Sequence, residues 1–135
     1  MAQVIIPRSM ANQILSFAQA HEDVEICGLI GGRDGQMTTL YPIENIAGDP
    51  AYIFEMDPAK QIAAMRQMRE NSEELTAIYH SHPSSPAQPS QTDIKQAAYP
   101  EAAYLIVSLN TKGVLEMRAY KVANGNVQEL QMELA

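Results

Sequence analysis

Cysteine is all but missing: Cys27 stands alone in 135 residues. No internal disulfide can form, which fits a reducing compartment. A zinc deaminase of the His-x-Glu, Pro-Cys-x-x-Cys type is excluded, because its metal shell needs two cysteines. Cations are few, 9 Lys and Arg against 16 Asp and Glu, for a net charge of −7. An acidic surface repels phosphate backbones, so nucleic acid is not an expected partner. No run approaches the ~20 apolar residues of a membrane span, and no basic-then-apolar leader opens the chain. Repeats, low-complexity tracts and linkers are absent too. With 46% hydrophobic residues, the chain can bury a core. These absences predict one domain over residues 1–135, soluble and cytoplasmic, with no membrane partner.

What is present alternates between strand and helix signals. Val4, Ile5 and Ile6 read as a strand stopped by Pro7, and Ser9 as the opening of a helix over 10–20 with Ile14, Leu15, Phe17 and Ala18 on one side. His21, at the end of that helix, suits the negative pole of its dipole better than a metal. Residues 24–31 read as a strand, with Val24, Ile26, Gly28 and Ile30 on one face and Glu25, Cys27 and Leu29 on the other. Glycine-rich 31–35 is a hairpin connection to a return strand at 37–43. Residues 44–50 form a loop and 51–55 a short strand. Asp57 and Pro58 give a cap and a first helical residue for a helix to about Glu70, whose Ile62, Met65 and Met68 fall at core-packing spacing. The apolar residues 75–79 form a buried strand. A short helix runs from Ser90 through Ala98, ending before Pro100. Residues 104–109 form a central strand, 110–113 a turn, and 114–122 and 127–132 a hairpin about Asn124-Gly125. The class is α+β, strands dominating, with two longer helices and a short one.

The chemistry concentrates after the strand at 75–79. On a strand, His80 and His82 point to one face. Prolines at 83, 86 and 89 keep the next stretch out of a helix and turn it back over the strand end. That loop delivers Ser90-x-x-Asp93 at a helix start. Two imidazoles and a carboxylate are three protein ligands, the plan of a catalytic zinc that leaves its fourth position to water. Each part has a plainer meaning alone. A His-x-His pair is more often core or surface, Ser90-x-x-Asp93 is a good N-cap pattern, and Glu25 closes a solvated acidic cluster begun at Glu22. The conjunction in one short loop outweighs them.

His80-x-His82, seven residues, then Ser90-x-x-Asp93, with Glu25 upstream in Glu25-Ile26-Cys27-Gly28-Leu29-Ile30-Gly31-Gly32, resembles the JAMM (MPN-plus) motif of zinc metallopeptidases. The wording of His80-Ser81-His82-Pro83, Pro89-Ser90 and residues 104–109 is similar to the small single-domain prokaryotic members. The likeness runs from about Ile5 to Tyr120, and every motif position is present and in order.

The resemblance implies a curved mixed β-sheet flanked by helices, in the broad shape of the zinc deaminases. It implies one zinc per chain held by His80, His82 and Asp93, with Glu25 as general base and Ser90 as oxyanion donor. The implied reaction is hydrolysis of an amide bond after the C-terminal Gly-Gly of a ubiquitin-like or sulfur-carrier protein. Relatives lacking the metal motif serve as non-catalytic interaction modules; here all five motif residues are intact. A thiol peptidase built on Cys27 is the remaining reading, and it leaves the His-x-His-to-Asp spacing unexplained. A lone strand cysteine is more simply a small buried hydrophobe.

Overall fold

The computed structural model describes residues 3–110 and 116–135. Seven strands and three helices follow in the order β1 (Gln3–Ile6), α1 (Arg8–Ala20), β2 (Cys27–Arg33), β3 (Gln36–Ile43), α2 (Pro58–Glu70), β4 (Glu74–His82), α3 (Gln91–Gln96), β5 (Ala103–Ser108), β6 (Glu116–Ala123) and β7 (Asn126–Leu134). They make one sheet ordered β1-β7-β6-β5-β4-β2-β3. The β1–β7 and β4–β5 pairs are parallel and the others antiparallel. The sheet curls until β1 and β3, at opposite ends of the order, come into contact. This is the curved mixed sheet with helices that the family resemblance implies.

Both faces are covered, which is why the central strands read as unbroken apolar runs. On β4, Ala77 and Tyr79 join the core that holds Ile14 and Ala18 of α1, while Ile78 joins the one that holds Ala64 and Met68 of α2. On β5, Leu105 and Val107 take the α1 side and Ile106 the α2 side. Period-two alternation therefore puts His80 and His82 on the face of Ile78, toward α2. Gly28 is packed tightly between β4 and β3. A Cβ there would sit 2.3 Å from the Tyr79 hydroxyl and 2.6 Å from the Tyr41 carbonyl oxygen.

Several boundaries differ from expectation. α1 begins at Arg8 behind Pro7, not at Ser9: the Pro7 φ is −57° and its carbonyl accepts from the Ala11 N–H at 3.0 Å. Ile14 and Ala18 are buried with Met10 and Ala11, while Leu15 and Phe17 are only partly covered. β2 starts at Cys27 rather than Val24, because ahead of it only the Ile26 carbonyl meets the β4 main chain, while the Ile26 N–H goes to the Ser81 hydroxyl and the Glu25 N–H to the loop carbonyl of Pro50. The turn of that hairpin is Asp34-Gly35, at φ 54° and 77°, and Asn124-Gly125 turns the last hairpin in the same left-handed conformation, at 54° and 79°.

Residues 51–55 are not a strand. The stretch opens in a turn and is closed by an isolated bridge between Asn45 and Met56. In α2, capped by Asp57 accepting from the Ala59 N–H at 3.0 Å, Ala64 and Met68 face the sheet, whereas Ile62 is 61% exposed. The expected methionine stripe thus keeps Met68 in the core, half-buries Met65 and leaves Ile62 outside. α3 stops at Gln96, since the N–H groups of Ala98 and Tyr99 both turn to the Tyr104 hydroxyl. Past Asn110, the expected turn at 110–113 and the start of a strand at 114 fall on residues 111–115, outside the described residues.

Candidate metal centre

The site stands at the carboxyl end of the parallel β4–β5 pair. β2 follows β4 only as far as Cys27 opposite His80, while β5 continues alongside, with Ser108 opposite His82. Past the end of β2, Ser81 takes over the pairing. Its hydroxyl oxygen accepts from the Ile26 N–H at 2.9 Å, and its own N–H donates to the Ile26 carbonyl at 3.0 Å. Glu25 is thereby held just beyond the strand end, on the side of the histidines.

The proline loop is pinned through three successive carbonyls. The Ser108 hydroxyl donates to Ser85 O at 2.7 Å, the His82 ring Nδ1–H to Pro86 O at 2.8 Å, and the Tyr120 hydroxyl to Ala87 O. The loop then enters α3 through a capping box: Ser90 Oγ accepts from the Asp93 N–H at 3.0 Å, and the Ser90 N–H donates to Asp93 Oδ2 at 2.9 Å. The cap reading of Ser90 is therefore realised, and because its oxygen is the acceptor its hydroxyl proton stays free for another partner.

These devices bring together residues spread over 69 positions, from 25 to 93. His80 Nε2, His82 Nε2 and Asp93 Oδ2 form a triangle with all three sides 3.1 Å. Ligands 2.0–2.1 Å from a tetrahedral centre lie about 3.3 Å apart, so the triangle has the size of one face of such a shell. Glu25 joins them, one atom from each of the four lying within 4.8 Å of the others. Glu25, His80 and His82 are 3%, 1% and 3% exposed.

Charge makes the same case. The Pro86 carbonyl can only accept, so a neutral His82 carries its proton on Nδ1 and turns the Nε2 lone pair toward the Asp93 carboxylate. Lone pairs and a carboxylate crowded together in a buried site repel unless positive charge stands among them. The donor set, two imidazoles and carboxylate oxygens, suits a divalent metal ion. Among the described residues, buried Glu25 Oε1 also has no hydrogen-bond partner, a costly state for a desolvated carboxylate unless a cation or a proton donor meets it.

The titration of each group follows from this packing. Burial pushes the Glu25 carboxyl up to about 8, the nearby His82 partly opposing it. Burial lowers His80 despite the pull of Asp93. For His82, burial is outweighed by Asp93 and the Pro86 carbonyl, and the net shift is upward. Burial alone would raise Asp93, but the two imidazoles and the Ser90 N–H hold it well below the usual carboxylate range. Cys27, fully buried and donating to the Ile43 carbonyl at 3.4 Å, is pushed up to about 12 by burial and then by Glu25. Such a thiol is not a nucleophile near neutral pH.

Four contributors were not singled out from sequence. Phe54 stacks on the His80 ring, centroids 4.4 Å apart at 28°. Ser81 and Ser108 are both fully buried. A serine inside an apolar strand must find a partner, and that was the available signal for them. The Pro86 carbonyl and Phe54 had none, because their contacts are set by the path of the loops. Beside the metal face, a cleft of about 280 Å³ is lined in part by Leu29, Phe54, Ile78, Gln96, Tyr99 and Tyr104, room for one or two side chains of a bound chain.

Residues 7–122 match the family described as prokaryotic homologs of the JAB domain. The CysO-cysteine peptidase of Mycobacterium tuberculosis is 30% identical over 128 residues, 93% of this chain and 87% of that protein. The probable TtuB-protein conjugate cleaving protease of Thermus thermophilus is 31% identical over 120 residues, 89% of this chain and 76% of that one. Among solved structures, protein DSY2949 from Desulfitobacterium hafniense is 32% identical with a TM-score of 0.85, covering 98% of this chain and 92% of that one.

Proposed function

Since the chain belongs to the family of prokaryotic JAB-domain homologs, we propose that it is a zinc peptidase hydrolysing the amide bond after the C-terminal Gly-Gly of a ubiquitin-like or sulfur-carrier protein. The observation that carries this reading is the triangle of His80, His82 and Asp93 with the buried, unpartnered Glu25 oxygen facing it. A non-catalytic interaction module has no use for so costly a group, so the catalytic reading is preferred.

In this reading His80 Nε2, His82 Nε2 and Asp93 Oδ2 hold the ion. Zinc bound there supplies Lewis acidity, acidifying water and polarising the scissile carbonyl. Glu25 takes the proton of the attacking water and hands it to the leaving amine. Burial raises its carboxyl to about 8, and a cation held beside it would lower that value; a group that both accepts and returns a proton works best with a pKa near the working pH. The Ser90 hydroxyl donates its free proton to the oxygen that gains charge as the carbonyl is attacked. Phe54 screens one face of His80 from water.

The substrate tail reaches the site extended. The backbone of the 53–56 stretch is engaged on one side, where Ile46 N–H donates to Glu55 O at 2.8 Å, and its other side borders the cleft, where a tail can pair. Gly-Gly offers the least hindrance at the scissile carbonyl. The carrier and its conjugated cysteine or short tail are the partners; a membrane and nucleic acid are not. No described helix is long and apolar enough to cross a membrane, and a single buried thiol suits a reducing cytoplasm.

The test is a carrier–cysteine conjugate ending in Gly-Gly against an Ala-Ala version, with mass spectrometry of the products and elemental analysis of the protein. Zinc near one per chain, cleavage of the Gly-Gly conjugate alone and loss with chelator are expected. His82→Ala should abolish stoichiometric zinc. Equal cleavage of both conjugates, or full zinc in His82→Ala, would refute the reading.

A further inference from the structure

Glu25 lies outside every strand, so no ladder fixes its main chain, and no donor meets its Oε1 among the described residues. What holds it is a loop 20 residues downstream. The Glu25 N–H donates to Pro50 O at 2.7 Å, and the Glu25 carbonyl accepts from Asn45 Nδ2 at 3.0 Å. Asn45 spends every hydrogen-bonding site of its amide on main chain. Its second Nδ2 hydrogen goes to Ile53 O at 3.1 Å, and its Oδ1 accepts from the N–H groups of Ala47 and Glu55, each at 3.0 Å. Two donors meet two carbonyls and two lone pairs meet two N–H groups, so the amide has one orientation only. Between Ile53 and Glu55 stands Phe54, stacked on His80. One side chain thus ties the main chain of Glu25 to the segment that covers the opposite member of the metal face.

We infer that Asn45 is a positioning residue, the clamp that aims the Glu25 carboxylate at the centre formed by His80, His82 and Asp93. The inference rests on the reading of Glu25 as the base. It also bears on the failure of 51–55 to form a strand: the Ile53 carbonyl and the Glu55 N–H are taken up by Asn45, and the Tyr52 and Ile53 N–H groups turn to Asp49 O. A misplacement of ~1 Å in a reacting group costs on the order of 10²-fold in rate, so the effect of losing the clamp falls on turnover more than on substrate or metal binding.

The decisive variant is Asn45→Asp in the full chain. It keeps volume and both acceptor contacts, but sets an oxygen about 3 Å from the carbonyls of Glu25 and Ile53 in place of a donor. Asn45→Ala removes the donors without adding charge and stands in if the first variant folds poorly. Hydrogen exchange of the metal-free protein comes first. The Glu25 amide should exchange ~10-fold faster or more in the variant, while the Leu29 amide, inside β2, keeps its protection. In the zinc-loaded protein, kcat should fall ~10–100-fold, with KM and zinc content nearly unchanged.

A double-mutant cycle then separates a clamp on Glu25 from general support of the loop. In the Glu25→Gln background, either Asn45 substitution should lower kcat by about twofold at most, because the group it aims has already gone. Unchanged exchange at Glu25, or rate losses that multiply in full, would overturn the assignment. Should Glu25→Gln alone keep normal turnover, the base reading fails by itself, and the exchange experiment alone decides whether Asn45 is the clamp.

Discussion

Ser90 caps α3 and is proposed to donate to the oxyanion, and the two roles can be pulled apart. Its oxygen caps α3 by accepting from the Asp93 N–H, and its N–H donates to the Asp93 oxygen that also faces both imidazoles. Ser90→Ala removes the cap acceptor and the free hydroxyl together. Losing a serine cap costs about 0.5–2 kcal/mol. α3 has only six residues and is anchored as well by the backbone half of the capping box, so about 1 kcal/mol is expected, a fall in Tm of roughly 4 °C for a domain of this size. Losing an oxyanion donor lowers kcat by ~10²–10³. Ser90→Gly separates the two effects, because glycine at an N-cap costs only a few tenths of a kcal/mol while the hydroxyl is equally absent. The measurements are chemical denaturation and steady-state cleavage of the zinc-loaded protein. Ser90→Gly should recover most of the stability and none of the rate. If kcat recovers in step with stability, Ser90 is a cap and nothing more, and the oxyanion role is refuted.

Three other perturbations follow from the packing. Glu73 is buried beside β2 and β3 and accepts from the hydroxyls of Thr38, Thr39 and Tyr41. Burial by itself raises its pKa, but those donors and Arg33 outweigh it, so the folded value is lowered. Its contribution is therefore complete above the unfolded pKa, roughly 4.3, and is lost as pH falls through the lower folded value. Glu73→Gln should destabilise by about 2 kcal/mol at pH 7 and flatten the acid limb of the stability curve below pH ~4.5. An acid limb as steep as wild type would contradict this. Gly28→Ala should cost about 1–3 kcal/mol by overpacking, since the added Cβ meets the Tyr41 carbonyl as well as the Tyr79 ring; denaturant melts showing wild-type stability would mean that β2 shifts freely. Cys27→Ala should keep zinc-dependent turnover and lose about 1 kcal/mol, and loss of turnover in a folded, zinc-loaded variant would revive the thiol reading.

Much of the architecture was legible because its causes are local. Asp57-Pro58 starts α2, Asn124-Gly125 turns the last hairpin, and apolar runs mark β4 and β5, each through short-range sterics, capping or periodicity. The errors share one cause. β2 begins late, residues 51–55 fail to pair, and Ile62 faces outward because each outcome depends on which neighbour is present, and local propensity does not contain that. The expected face for Glu25 matches where its side chain gathers, although its main chain is not part of the strand that suggested it.

The composition and order of the chemical groups were determined by sequence alone. Two imidazoles at strand spacing, a proline-broken loop, Ser90 and Asp93 at a helix start, and a lone cysteine restrict the chemistry before any fold is known. Tertiary structure decided the distances. The Ser81 bonds to Ile26, the clamp from Asn45 to Glu25, and the pinning of Ser85 and Ala87 from β5 and β6 join residues 20 to 55 positions apart, and His82 of β4 pins Pro86 of the loop that follows it. Such contacts form only once the strand order has brought those elements together, and a linear pattern whose periods are 2 and 3.6 residues carries no record of them.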